Sequence, residues 1–439
     1  MIKRIISIAL LVAGLGLAAE AMTYQESVSY ALKHSPSVLA AERKLSAARA
    51  RMGQAVGAFF PTIKLDGNYG KSYSQPSTMQ LTTQTILGAI TTDITFGTDE
   101  QATVKGWTLS ASQPLFVAAL WPGYGLATKG VDSAGQDYIR VKLETAFNAT
   151  AAYFAVLSST KYVKLSEDSM EMARSHVNQI ELMLKSGVAT RADLLRAEVQ
   201  LANSEVALTQ ARNGLELAKS SFNNVLGRTP DEKVEISDGP TGQVPTVPEY
   251  AVMTKAAFEN SPTWRSFSLA RGMAADNVTL ARTALLPSVF LSGQNGWRST
   301  EYPSYRSDAR SWSLTGAASW TLFDGLGMQN RINEAAANLE ATEATEAQVK
   351  NGLLLEVRQA YLELKSAIET ITSTKKAVDF AEESHKVSSL RFNSGVGTNL
   401  EEIDAQVALT QARTTQLKAL FDLEIAKAKL NKVVGKEVI

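Results

Sequence analysis

The sequence predicts a mostly α-helical fold with a β portion. Long antiparallel coiled-coil helices are written twice along one chain, together with four transmembrane strands of a barrel shared between subunits. Three observations predict it. Segments recur at fixed offsets, four short segments alternate apolar and polar residues, and two stretches of about sixty residues run through helical sequence without proline.

The 439 residues are 45% hydrophobic and 20% charged, with 44 Lys plus Arg against 44 Asp plus Glu, so the basic footprint of a nucleic-acid binder is missing. No cysteine is present, which excludes disulfide frameworks and thiolate metal sites. The chain opens with Lys3 and Arg4, an apolar run from Ile5 to Leu17, and Ala19-Glu20-Ala21. That is the pattern of a signal peptide over residues 1–21, cleaved near Ala21. Its apolar run is shorter than the ~20 residues that span a bilayer as a helix. No longer apolar run follows, so any membrane contact is expected through strands.

The duplication fixes the domain organisation. At an offset of 226, Tyr30-Ala-Leu-Lys-His-Ser-Pro36 meets Ala256-Ala-Phe-Glu-Asn-Ser-Pro262, Pro61 meets Pro287 and Gly67 meets Gly293. Further on the offset is 208: Tyr153 meets Tyr361, Ser186-Gly-Val188 meets Ser394-Gly-Val396, and Gly227 meets Gly435. The first copy therefore carries 18 extra residues between Tyr69 and Trp107, in a Ser/Thr/Gln-rich stretch expected to be a long exposed loop. The expected units are a first repeat over 22–227, a Pro- and Gly-rich linker or equatorial segment over 228–248, and a second repeat over 249–439.

Each repeat has the same expected elements. A short helix (Thr23–His34; Glu249–Asn260) ends at Ser-Pro, because a residue before proline leaves the helical region. A second helix (Ser37–Ala58; Thr263–Ala284) stops at Pro61 or Pro287. Two strands follow, about 61–72 and 105–117 in the first copy, about 287–298 and 310–323 in the second. Ile63, Leu65 and Tyr69 alternate with Lys64, Asp66 and Asn68; Trp107 and Leu109 with Thr108 and Ser110. Val289, Leu291 and Trp297 oppose Ser288, Ser292 and Gln294, and Trp312, Leu314 and Trp320 oppose Ser313, Thr315 and Ser319. Tyr69, Trp107, Trp297, Trp312 and Trp320 are thus candidate membrane-interface aromatics. A soluble sheet packed on helices has the same alternation. If the strands do span a membrane, they must close, and four are fewer than the eight with which single-chain barrels begin. The barrel is then shared between subunits.

Helical hairpins are expected over 125–227 and 327–435. Uninterrupted helix from Gly125 to Lys185, or from Gln329 to Phe392, is a rod of ~90 Å carrying charge throughout, and so stands in water. Val357, Leu364, Ile371 and Val378 repeat every seven residues, as do Leu194, Leu201, Leu208, Leu215 and Phe222, and Ala405, Ala412, Ala419 and Ala426. Large residues beside alanines suit closely packed antiparallel helices. Each hairpin turns at Ser-Gly-Val, and Thr190 with Asp193, and Thr398 with Glu401, read as capping boxes.

No Walker A loop, dinucleotide fingerprint, nucleophile elbow or zinc-spaced ligand set occurs, so neither an enzyme nor a cofactor is expected. His34, His176 and His385 do not correspond between copies and read as surface or structural residues. The tips are acidic: Asp193 and Glu198 in one, Glu401, Glu402 and Asp404 in the other. Helix capping accounts for Asp193 and Glu401. Asp404, a turn further in, makes an acidic constriction if the tips converge on an axis.

In the order of its elements, Gly395-Val-Gly-Thr398 with Glu401-Glu-Ile-Asp-Ala405, and Ser-Gly-Val-Ala-Thr190 with Asp193-Leu-Leu195, the chain resembles the TolC family of outer-membrane efflux proteins. The resemblance covers essentially all of residues 22–439. It implies a homotrimer with a twelve-stranded barrel among outer-membrane lipid in a Gram-negative bacterium, and a trimeric α-barrel of twelve helices in the periplasm. A periplasmic adaptor (membrane fusion protein) and an inner-membrane transporter would open the tip of this passive duct. The family's acidic constriction maps onto Glu401 and Asp404, and the adaptor-docking tips onto Ser186, Gly187, Val188, Thr190, Ser394, Gly395, Val396, Gly397 and Thr398. The arginine that locks the family's tip is Asn399 in one copy and Arg191 in the other, so those contacts do not carry over. Alternatives are the outer-membrane duct of a type I protein secretion system and a soluble periplasmic coiled-coil adaptor or tether.

Overall fold

The computed structural model describes residues 21–86, 88–97, 99–237, 239 and 242–436; apart from Ala21, the expected signal peptide lies outside the described residues. Each half opens with a short helix, α1 (Tyr24–His34), and its counterpart 226 residues on at Tyr250–Asn260. Next comes α2 (Pro36–Gly57), with a counterpart at Pro262–Arg282. Ser35 and Ser261 between them are extended, with ψ of 127° and 121°. Both second helices start one residue earlier than expected, because proline fits the first helical position, where no N–H is needed.

After α2 come β1 (Thr62–Tyr73), β2 (Ser77–Thr85), β3 (Gly88–Phe96) and β4 (Gln101–Val117). The inserted stretch, expected as a loop, is instead the β2–β3 hairpin, paired from Ser77↔Phe96 to Thr85↔Gly88. Its Met79, Leu81, Ile90 and Ile94 share one face and its threonines favour extended backbone; the polar composition hid a period of two.

The first helical hairpin is α3 (Leu120–Lys185) and α4 (Arg191–Leu226). α3 begins five residues before the expected Gly125, since Pro122 sits in the first turn, where proline is tolerated. The second half repeats the order as α5 (Tyr250–Asn260), α6 (Pro262–Arg282), β5 (Ser288–Glu301), β6 (Arg306–Ser319), α7 (Gly327–Ala344), α8 (Glu346–Asn393) and α9 (Asn399–Val434). Here the expected continuous helix is broken at Thr345. Its N–H and its hydroxyl both turn to the carbonyl of Thr342, at 3.2 and 2.7 Å, and so compete with the helical ladder.

The chain divides into two compact units, each drawn from both halves. One, comprising residues 46–132 and 269–345, holds an antiparallel sheet in the order β1-β4-β5-β6. Its register sets Leu65 opposite Leu109, Trp107 opposite Trp297 and Gly293 opposite Leu314. One face is therefore apolar (Ile63, Leu65, Leu109, Leu291, Leu314). The other carries Lys64, Asp66, Thr108, Ser110, Gln294 and Ser313. Among the described residues, β1 and β6 each have a neighbour on one side only.

The other unit holds the described residues among 21–45, 133–268 and 346–436. Its core repeats with the sequence: Ala31 and Ala257, Val156 and Leu364, Phe222 and Leu430, and Leu226 and Val434 are all buried. α8, with 48 residues, is ~72 Å long. In the described part of the segment between the halves, Val234 and Ile236 pack on this core, and the Ser237 carbonyl accepts a hydrogen bond from the Tyr153 hydroxyl at 2.6 Å.

Gly227 and Gly435 end α4 and α9 in the left-handed conformation, with φ of 78° and 82°. A Cβ on either would meet the end of the facing short helix, the His34 carbonyl at 2.9 Å or the Asn260 carbonyl at 2.7 Å. Gly227→Ala or Gly435→Ala is thus expected to destabilise the protein by at least ~1–2 kcal/mol. Gly352→Ala, in open space within α8, should be neutral or stabilising by up to ~1 kcal/mol. Thermal unfolding of the three variants tests the difference.

Candidate functional site

Both hairpin tips are built by the same backbone device. Gly187 and Gly395 take φ of 76° and 74°. The next N–H, of Val188 or Val396, donates back to Met183 or Arg391 at 2.9 or 3.0 Å, closing a glycine-dependent helix end. The hydroxyls of Ser186 and Ser394 donate to the carbonyls of Leu182 and Leu390. Gly397 also donates to Arg391, at 3.0 Å. The two valines are left 72% exposed each, a matching apolar point on each tip.

Thr190 and Thr398 then start α4 and α9 as capping boxes with Asp193 and Glu401. The Thr190 hydroxyl and then its N–H bond the Asp193 carboxylate, at 2.6 and 3.0 Å, and hold its pKa below the usual carboxylate range. Glu401, exposed, accepts from the Thr398 N–H at 3.3 Å and lies 3.8 Å from the Arg391 guanidinium. Asp404 is also exposed, one turn along the same helix.

The residues that join the two tips are ones the sequence reading did not select. Asn399 is buried; its amide donates to the Asp193 carbonyl at 3.0 Å, and its oxygen lies 2.7 Å from His176 Nε2. With the amide NH₂ facing a carbonyl, the oxygen must face the ring, so His176 carries a proton on Nε2. The position of the family's locking arginine, whose contacts were not carried over, thus clamps α9 to α3 and α4 within one chain through an asparagine. His176 is a buried partner in that clamp, and His385 lies 3.4 Å from the buried carboxylate of Glu402. The signal available was position: Asn399 directly follows a capping threonine. Arg191, its counterpart, is exposed.

On the sheet, Trp107 and Trp297 are directly paired across β4 and β5, Tyr69 faces Lys105 and Trp312 faces Asn295. Tyr69 and Trp312 are almost fully exposed, at 79% and 80%. Trp320 corrects the expected strand over 310–323. β6 ends at Ser319, and the Trp320 indole donates to the Leu285 carbonyl at 3.0 Å instead of joining the ladder. Trp121, unselected, packs edge-on against Phe59, with centroids 5.9 Å apart.

The sequence model described as "Outer membrane efflux protein" matches residues 28–228 and 254–436. The alkaline protease secretion protein AprF of Pseudomonas aeruginosa is 25% identical over 423 residues, covering 92% of this chain and 82% of that protein. Outer membrane protein TolC of Salmonella enteritidis is 20% identical over 337 residues, 74% of this chain and 68% of its own. The crystal structure of CusC shares the fold with a TM-score of 0.78 at 16% identity, over 94% of this chain and 92% of CusC.

The cap at Asp193 has a pH signature. Its depressed pKa contributes stability above the unfolded value, about 3.9, that is lost as the pH falls through the lower folded value. Amide protection in the first turn of α4, corrected for intrinsic exchange, should fall on acidification below about pH 4. Asp193→Asn should lower protection at neutral pH and flatten that dependence. An unchanged acid dependence in the variant would assign it to another group.

Proposed function

The chain belongs to the outer membrane efflux protein family, that of TolC, and on that premise we propose that it is a passive homotrimeric export duct. It is not an enzyme. The observation that carries this reading is the sheet: four antiparallel strands with one apolar face, one polar face and two unpaired edges. Three copies supply twelve strands, and with an even number in each, a β6 edge meets the next β1 edge antiparallel. The apolar face with Tyr69, Trp107, Trp297 and Trp312 then lies against outer-membrane lipid, and the helical hairpins stand in the periplasm. We read residues 22–227 and 249–439 as the two repeats, and residues 1–21 as the signal peptide that directs export.

At the tips, Val188 and Val396 with the turns around them are the surface offered to a periplasmic adaptor, which couples the duct to an inner-membrane transporter. Glu401 and Asp404, exposed on one helix, are the carboxylates of a cation-favouring constriction when repeated by threefold symmetry. Opening separates the hairpins, and the Asn399 clamp to His176 and Asp193 is then among the contacts that break. The likeness to AprF, named as an alkaline protease secretion protein and matched over 92% of this chain, favours protein as a second cargo class beside small molecules.

Native mass and single-particle imaging of the detergent-extracted protein test the assembly. A trimer with a closed barrel is expected; a monomer recovered without detergent would replace the duct with the adaptor or tether. In planar bilayers, Glu401→Ala with Asp404→Ala should weaken blockade by multivalent cations at least about tenfold, the equivalent of ~1.4 kcal/mol. Unchanged blockade would remove these carboxylates from the constriction.

A further inference from the structure

The duplication builds one helix seam inside the chain and leaves its counterpart open. α9 runs antiparallel along α3. Phe421 meets Phe154 with ring centroids 6.2 Å apart, the Thr410 and Ser169 hydroxyls lie 3.2 Å apart, and the Asn399 oxygen is 2.7 Å from His176 Nε2. Five of these six residues are buried and Thr410 is half-buried.

At the 208-residue offset α8 repeats residues 138–185 of α3, and α9 repeats α4. The counterpart of the α3–α9 seam is therefore one between α8 and α4. Its three pairs would be Leu362 with Asn213, Ala377 with Ala202, and Ser384 with Arg191. All six of these residues are exposed. The same positions are covered where the partner helix belongs to the chain and bare where it does not.

The bare faces are also apolar. Leu355, Leu362 and Phe380 are exposed on α8 along the face that holds Ala377. On α4, Leu195, Val199 and Val206 are exposed on the face of Ala202. At 100° per residue each set falls within a single narrow stripe. Two apolar stripes on charged rods call for a cover. The in-chain seam shows that helices of these two kinds fit one another, and a second copy of this chain brings both. A contact of one face with a different face of the next copy leaves no stripe bare once the copies close into a ring.

We propose that α8 of each copy packs antiparallel along α4 of the next, in the register of the in-chain α3–α9 seam. Ala377 then meets Ala202 of the partner subunit, and Ser384 meets Arg191 of the partner subunit. The number of copies rests on the homotrimer proposed above; the faces and the register rest on the duplication.

Cysteine cross-linking tests the seam, in a chain that has no cysteine of its own. On mild oxidation of the detergent-extracted protein, Ala202→Cys combined with Ala377→Cys should give covalent dimer and trimer, reversed by reductant, because thiols at such a contact come within disulfide reach. Either substitution alone should give none. Ser169→Cys with Thr410→Cys, the in-chain counterpart, should lose its free thiols without gaining mass. A native trimer in which the in-chain pair closes and the Ala202 and Ala377 pair does not would overturn the seam and leave the duct standing. Linking by either single variant would overturn it too, since like faces would then meet. A monomer by native mass would remove both the seam and the duct.

Discussion

Unpaired backbone along two strand edges constrains this molecule more than any side chain does. β1 and β6 are each bonded on one side only and are exposed throughout their length. Soluble proteins blunt such edges with charge, bulges or a covering element. Here the sheet also presents Leu65, Leu314 and Trp312 to its surroundings, and in hydrocarbon every open N–H or C=O costs several kcal/mol. Closure within the chain is out of reach with four strands. In the duct proposed above the edges are met by other copies, and a ring is the arrangement in which every edge is met. The alternation of direction across four strands lets the join continue the antiparallel ladder without a break.

Duplication explains how one chain supplies both the scaffold and the chemistry. Positions that must pack are the same in both copies: Ala31 and Ala257, Phe222 and Leu430, and the two cap glycines against the two Ser-Pro junctions. Positions that carry polar chemistry have diverged. His176 corresponds to Ser384, His385 to Val177, Asn399 to Arg191 and Glu402 to Leu194. The fold tolerates this because each hairpin keeps its turn glycine and its capping box while single side chains at the tip change.

The same division decides what was legible in the sequence. Period-two alternation, heptads, Ser-Pro stops and capping boxes are local patterns, and the elements they foretold are present. The misses came where local chemistry has two outcomes. The helix expected from Gly125 takes in Pro122, harmless in a first turn, Thr345 reads as helix but takes its hydrogen bond from the ladder, and the threonine-rich insertion reads as loop but pairs with itself. The tip clamp was half legible: Asn399 is marked by its place after the capping threonine, but its partner is not. His176 and Asn399 are 223 residues apart, and nothing in either segment signals the other. A buried carboxylate such as Glu402 looks, in sequence, like any helix-surface acid.

The distribution of polar and apolar contacts along the hairpins bears on which part can open. Where α5, α8 and α9 meet, the core is Met253, Val357, Leu364, Leu423 and Leu430, all essentially without solvent exposure. Disrupting it exposes apolar area and leaves cavities, at ~2–5 kcal/mol for each large side chain. Nearer the tip, α3 and α9 touch through Ser169 with Thr410, Gln406 with the Ser169 carbonyl, and His176 with Asn399. Each such hydrogen bond is worth only ~0.5–1.5 kcal/mol net, since water replaces the lost partner once the groups are exposed. The α3–α9 contact near the tip is therefore the polar one, whereas α3, α4 and α8 keep an apolar cluster there, of Val177, Ile180, Leu194 and Phe392. In the duct proposed above, the contact able to part while both apolar clusters hold is the one between α3 and α9, made by serines, threonines and amides where aliphatic side chains would weld the two helices together.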